Sequence, residues 1–261
     1  MKNMIKYIFN PLYKRWAFRK INTIDLNSLK NNRIMEPELL LVGDYIGKGD
    51  IVFDIGANAG EYTFKFEQFA GSRNVYSFEP IPKLYKNLKK IFRNVNIELL
   101  AFSNKSGLSQ FKIPVINDVV YATRGKLDIE IKEPGETNFE LIDVQCKTID
   151  EYVTQKSIPK IKLIKIDVEG HEFNVVKGAI KTLREYKPII LIEIEQRHHD
   201  MPINIIFNFI KELGYEIKFY SVSDLKFFSI KDFNVLKHQN YESIKTTDYV
   251  NNFWCFPSGQ K

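Results

Sequence analysis

Short apolar runs alternate along this chain with longer stretches of helical spacing. Ile51-Val52-Phe53, bounded behind by Gly49-Asp50, is the first such run and predicts a buried strand. After Gly60 the pattern becomes helical, with Tyr62, Phe64, Phe66 and Phe69 available for packing. Asn74 to Phe78 predicts a second strand, and Pro82 opens a helix with Leu84, Tyr85, Leu88 and Ile91 on one face. Asn96 to Ala101 predicts a third strand that ends at Phe102-Ser103-Asn104. Thr148 opens a short helix to about Gln155, and Ile161 to Ile166 reads as a fourth strand. One helix then carries Phe173, Val176, Ala179, Ile180 and Leu183, and Pro188 to Ile194 is a fifth strand. Helix 203–213, a strand from Tyr215 to Tyr220 and a strand from about Asn251 to Phe256 follow. The order β-α-β-α-β at short intervals predicts right-handed crossovers and a doubly wound, mostly parallel α/β sheet.

Gly107 to Cys146 breaks this rhythm. Leu108, Phe111 and Ile113, and then Leu141, Val144 and Cys146, alternate as an inserted β-hairpin or small sheet would. Between them Asn117 to Asn138 is polar and holds Tyr121, Thr123, Arg124 and Pro134-Gly135. A long loop on the ligand-facing side reads as a substrate lid. Ahead of the first strand, Pro37 to Val42 predicts a lead-in helix. No internal repeat, linker or low-complexity tract is found. The expected organisation is an arm and lead-in helix over 1–45, then one domain over 46–261 with 107–146 inserted.

Length and composition change this picture little. A chain of 261 residues suits one α/β domain, and 44% apolar with 27% charged residues is ordinary for a globular protein. Two cysteines, Cys146 and Cys255, make no disulfide framework, so a reducing cytoplasm is expected. No apolar run reaches the ~18 residues of a membrane span.

Charge is more informative. The 38 Lys and Arg exceed the 32 Asp and Glu by the six that lie in the first 20 residues, so the rest of the chain is neutral. That basic segment also carries Ile5, Ile8, Phe9, Leu12 and Trp16 at helical spacing, without a signal peptide's apolar core and cleavage site. Either it lies peripherally on an anionic membrane surface, or it packs on the domain or on a partner subunit of a homo-oligomer. Nucleic acid is a poorer fit, because no second basic cluster with interleaved aromatics follows.

Candidate chemistry begins after the first strand, at Asp54-Ile55-Gly56-Ala57-Asn58-Ala59-Gly60. Strand, glycine turn and helix form a nucleotide-binding arrangement. The spacing is neither G-x-G-x-x-G nor a P-loop. Glu79 ends the second strand 19 residues after Gly60, where a carboxylate can accept hydrogen bonds from both hydroxyls of a ribose. The fourth strand delivers Asp167-Val168-Glu169-Gly170-His171-Glu172 to the same edge. Carboxylates this dense call for a cation, a proton or a ligand ammonium, unless a helix N-terminus accounts for them.

Two blocks of sequence together resemble the FkbM family of S-adenosylmethionine-dependent methyltransferases. The first is VFDIGANAGEYTF with YSFEP; the second is KTID, then LIKIDVEGHEFNVVKGA and ILIEIE. The resemblance runs from about Ile46 to Gln196, with NNFWCFP compatible with the family's final strand. It implies a class I methyltransferase fold, a Rossmann-like sheet of seven strands whose last strand is antiparallel, and O-methylation of a hydroxyl with S-adenosylmethionine as cofactor. Carried over, Asp54, Gly56, Ala57, Asn58 and Gly60 form the cofactor loop, with Asp54 near the methionine amino group. Glu79 would bind the ribose, Ser103 or Asn104 would lie near the adenine, and Asp167 would face the sulfonium.

A sugar hydroxyl is a poor nucleophile near neutral pH, so a base or a metal is useful. Asp167, Glu169, His171 and His198 are the candidate catalytic groups, and His199 stands beside the last of them. Tyr121, Thr123, Arg124 and Glu193 are candidate acceptor contacts. Asp167, Glu169 and Glu193 could instead hold a hard divalent cation, although a protein base is the preferred reading. The expected acceptor is a sugar of a polysaccharide or glycolipid. The alternatives are a nucleotide-dependent oxidoreductase, disfavoured by the missing G-x-G-x-x-G, and a cofactor-binding protein without catalysis.

Overall fold

Strands buried along almost their whole length form the centre of the molecule, as expected where helices cover both faces of a parallel sheet. The structure is a computed structural model that describes residues 17–31, 35–121, 125–127, 130, 132, 135–240, 242 and 246–259. In chain order its first strands are β1 (Val52–Ile55), β2 (Val75–Phe78), β3 (Asn96–Glu98), β4 (Ala101–Phe102), β5 (Gly107–Ile116), β6 (Val119–Val120) and β7 (Glu136–Lys147). β8 (Leu163–Ile166), β9 (Ile189–Glu193), β10 (Tyr215–Ser221), β11 (Lys226–Ser229) and β12 (Asn252–Pro257) follow. The helices are α1 (Leu26–Asn31), α2 (Glu38–Leu41), α3 (Glu61–Ala70), α4 (Pro82–Ile91), α5 (Ile149–Gln155), α6 (Glu172–Lys177), α7 (Ile180–Tyr186), α8 (Asn204–Glu212) and α9 (Val235–His238).

The main sheet has eight strands in the order β11-β10-β12-β9-β8-β1-β2-β3. β3, β2, β1, β8 and β9 run parallel. β12 enters antiparallel between β9 and β10, so the antiparallel strand expected near the end of the sequence is internal to the sheet. The expected count of seven is exceeded by β11, which folds back on β10 through a turn where Leu225 adopts φ 53°. Lys226-Phe227-Phe228-Ser229 is too short a run to announce itself as a strand.

Two further expectations are corrected. The run predicted as one third strand is divided: Asn96–Glu98 stays on the main sheet, whereas Ala101 and Phe102 pair with Cys146 and Lys147 in a second, four-stranded sheet. The helix predicted after Glu172 is two helices, broken at Gly178, which packs against the Ser103 carbonyl. The inserted hairpin is present as the long antiparallel pair β5–β7. Phe111, Ile113, Val144 and Cys146 are buried as the alternation predicts, but Leu108 and Leu141 face solvent.

Aromatic rings dominate one face of the main sheet. Phe78 meets Phe53, Phe102 and Tyr152 edge-on at centroid separations of 5.2, 4.7 and 5.0 Å. The other face is covered by Phe64, Phe66, Leu88, Phe92 and Trp254. Phe18, Ile21, Leu29, Leu39 and Val42 join that second cluster, and Phe18 stacks on Phe92. Residues before β1 are therefore part of the core; the remainder of the basic arm, 1–16, lies outside the described residues. Among the described residues, no helix is long and apolar enough to cross a membrane.

Leu29 is completely buried, so Leu29→Ala should cost about 2–5 kcal/mol of stability. Urea denaturation checks this. A loss within about 0.5 kcal/mol, as at a surface site, would show that α1 is only loosely attached.

Candidate active site

The turn after β1 is shaped by contacts within the protein. At Gly56, with φ 81°, a Cβ would lie 1.8 Å from the Asp167 carbonyl oxygen, so only glycine lets the β1 turn abut the end of β8. At Gly60, with φ 94°, a Cβ would meet Phe92 at 2.6 Å and Leu88 at 2.8 Å. The amides of Gly56 and Ala57 both donate to the Phe78 carbonyl at 3.0 Å, tying the turn to the end of β2. Behind the turn, Thr63 donates to Asp54 Oδ2 at 2.5 Å and sits 2.9 Å from Ser77, so the buried Asp54 points inward on a hydrogen-bond chain.

Glu79 is buried and fixed at both oxygens. The Asn58 amide donates to Oε2 at 2.9 Å and the Ile81 amide to Oε1 at 2.8 Å. Each carboxylate oxygen still has capacity to accept another hydrogen bond. Burial pushes its pKa up to about 7, against the pull of those two amides. Asp54 is pushed up to about 6 by burial, opposed by the Thr63 hydrogen bond and Lys165.

Two adjoining compartments open on this turn and share Gly56, Asn58 and Asp167. The first encloses about 560 Å³ and adds Glu79, Glu169 and His171 to an apolar slot that includes Ile81, Leu84, Phe102 and Phe111. Gly125 and Leu127, from the polar loop of the insertion, also line it. The second encloses about 690 Å³ and is lined by Glu36, Asp54, the turn to Tyr62, Lys165 and Asp167. Asn58, a wall residue of both, has its Oδ1 buried with no hydrogen-bond partner.

The end of β8 is electrostatically crowded. One carboxylate oxygen from each of Glu36, Asp167 and Glu193 lies within 4.8 Å of the others. Lys165, fully buried in the middle of β8, sits 3.8 Å from Asp167 and donates to Asn252 Oδ1 at 2.6 Å. Asn252 and Tyr62 in turn donate to Glu36 Oε2 at 3.1 and 2.5 Å, and Asn251 donates to Glu193 Oε1 at 3.0 Å. Burial pushes Asp167 up to about 6 despite Lys165, and Glu193 well above the usual carboxylate range.

Most of the residues singled out in the sequence converge here. Asp54, Gly56, Ala57, Asn58 and Gly60 line the second compartment, Glu79 the first, and Asp167 both. Glu193 joins Asp167. The metal set Asp167, Glu169 and Glu193 is corrected, because Glu169 instead pairs with His198 at 3.4 Å and Glu36 takes its place. Ser103 turns its hydroxyl to His171 Nε2 at 2.9 Å, and Asn104 is exposed. It is the neighbouring Phe102 that lines the slot. His171 also bonds Asn174 through Nδ1 at 3.3 Å. His198 is buried outside both compartments, and burial lowers its pKa to about 4. His199 pairs with Glu172 at 3.3 Å. Tyr121 lies outside both compartments, and Thr123 and Arg124 fall outside the described residues.

Glu36, Tyr62, Lys165 and Asn252 were missed as site residues. Lys165 carried a signal, a lysine inside an otherwise apolar buried run, Leu163-Ile164-Lys165-Ile166. Glu36 and Asn252 carried none.

This strand order, with a glycine turn after β1 and acids at the ends of β2 and β8, defines a class I methyltransferase fold. The structure is similar to that of the methyltransferase FkbM from Methylobacillus flagellatus, with TM-score 0.50 and 15% identity over 80% of this chain and 44% of that one. Residues 54–217 match the Methyltransferase FkbM domain, and the chain belongs to that family. It is 29% identical over 154 residues to the hexuronic acid methyltransferase AglP of Haloferax volcanii, covering 56% of each chain. It is 24% identical over 183 residues to the 2-O-methyltransferase NoeI of Sinorhizobium fredii, covering 65% of this chain and 74% of that one. The match thus spans little more than half the length of AglP.

The Glu79 carboxyl gives a pH prediction. Between pH 4.5, its ordinary value, and about 7, the folded protein holds a proton there that the unfolded chain has lost. Its contribution to stability therefore grows as pH falls through that window and is lost as pH rises through about 7. Glu79→Gln, which cannot ionise, should gain on the wild type between about pH 5.5 and about pH 8, measured by urea midpoints. An unchanged difference at the two pH values would contradict a raised carboxyl pKa.

Proposed function

We propose that this protein is an S-adenosylmethionine-dependent O-methyltransferase acting on a sugar hydroxyl. The observation that carries this reading is the buried Glu79 carboxylate, held by the Asn58 and Ile81 amides where the apolar slot begins. Such a carboxylate accepts two ribose hydroxyls, and the slot of Ile81, Leu84, Phe102 and Phe111 takes a flat base. The unpartnered Asn58 Oδ1 and the acid-lined second compartment fit the polar, cationic remainder of the cofactor. Membership of the methyltransferase family supports the same chemistry.

Bound S-adenosylmethionine supplies an electrophilic methyl group on a sulfonium. The task left to the protein is to align the acceptor oxygen and exclude water. Asp167, on the wall shared by the two compartments, is placed to orient the acceptor hydroxyl, with Glu193 beside it. Gly125 and Leu127 bring the inserted loop over the slot, which supports a lid role for that loop. A sugar acceptor is favoured because AglP and NoeI carry names that specify a hexuronic acid and a 2-O position. The basic segment 1–20 would hold the enzyme at the cytoplasmic face of a membrane that bears glycolipid acceptors.

Calorimetry with S-adenosylmethionine and with NADH tests the class. Binding of the former alone is expected, and Glu79→Ala should weaken it roughly tenfold or more. Binding of NADH alone would return the site to an oxidoreductase. Asp167→Asn should lower turnover of a sugar acceptor by about 10²-fold or more, a larger loss than in cofactor affinity. An equal loss in both would make Asp167 a cofactor ligand only.

A further inference from the structure

We infer that Glu36, which lies ahead of the family-matched segment, binds the α-ammonium of the cofactor's amino-acid end in the second compartment. The inference rests on the S-adenosylmethionine reading and adds a residue to it. A ligand whose ribose sits on Glu79 can continue past Gly56 and Asn58 into the second compartment, which shares those residues with the first. That compartment is lined by charges of both signs, Lys165 together with Glu36, Asp54 and Asp167. A zwitterionic α-amino acid presents the complementary pair.

The signs are unbalanced. Lys165 lies 3.8 Å from Asp167 and spends its short hydrogen bond on Asn252, while Glu36, Asp167 and Glu193 crowd within 4.8 Å of one another. A proton on Glu193 relieves part of that crowding, and an ammonium, with three N–H groups, serves the two carboxylates that remain, Glu36 and Asp167. Asn58, whose buried Oδ1 has no hydrogen-bond donor, is also a wall residue of that compartment. Glu36 is preset for this task. Tyr62 and Asn252 both donate to its Oε2, which fixes the carboxylate without neutralising it.

The test uses three ligands on the full chain by calorimetry: S-adenosylmethionine, S-adenosylhomocysteine and 5′-methylthioadenosine, which lacks the amino-acid end. Glu36→Gln should weaken the first two roughly tenfold or more and leave the third unchanged. Retained methylthioadenosine binding also shows that the variant is folded. An equal loss for all three ligands, or no loss for any, would overturn the assignment. Mg²⁺ binding to the cofactor-free wild type that disappears in Glu36→Gln would overturn it as well, by giving the cluster a metal. If the wild type binds none of the three ligands, the cofactor reading itself falls, a result distinct from the failure of Glu36.

Discussion

Everything in the site depends on how closely the turn after β1 approaches the end of β8. Gly56 lies where any Cβ would fall within 1.8 Å of the Asp167 carbonyl, so the two backbones touch with no side chain between them. That contact places Asp167 on the wall between the two compartments. The same turn donates its first amides to Phe78 and the Asn58 amide to Glu79, so the ends of three parallel strands are locked into one rigid rim. A site that must hold two groups in register needs that kind of fixed frame.

The rim is also where electrostatic cost is concentrated. Asp54, Glu79, Asp167 and Glu193 all have carboxyl pKa values raised by burial, and the fully buried Lys165 is the cation set among them. Two buried acids away from the rim are held down by partners. Burial works against Glu195 too, yet Arg197 holds it at about 2 with two hydrogen bonds of 2.8 and 2.9 Å. Glu172 is likewise held down, against its burial, by His199 and the Gly170 amide. Acids with raised pKa values gathered at a cleft contrast with these ion-paired ones and are the kind of group a polar ligand can use.

What the sequence made legible was local. Asp54 to Gly60 and Glu79 lie within one β-α-β unit, where the chain's own order dictates which strand ends meet. The acids of the β8 end were legible as a group, but their partners were not. Glu169 and Asp167 are two residues apart, yet Glu169, in a left-handed conformation with φ 53°, turns to His198. Its place beside Asp167 and Glu193 is taken by Glu36, from a segment the pattern treated as a lead-in. Asn252 and Glu36 meet across 216 residues, a pairing that no spacing rule anticipates. The division of Asn96–Phe102 between two sheets was hidden for a similar reason. An apolar run does not say which neighbour its backbone will bond.

The position of β12 has a consequence for biosynthesis. It fills the space between β9 and β10, and it carries the asparagine that joins Lys165 to Glu36. Both neighbours precede β12 in the chain, so any sheet formed before it would carry two borders of unpaired backbone groups. A sheet without β12 would leave those borders open to unwanted pairing until Asn252–Pro257 inserted. The hydrogen bonds that join Lys165, Asn252 and Glu36 can form only once β12 has entered between its neighbours, so closing the sheet and completing that wall of the compartment are one event.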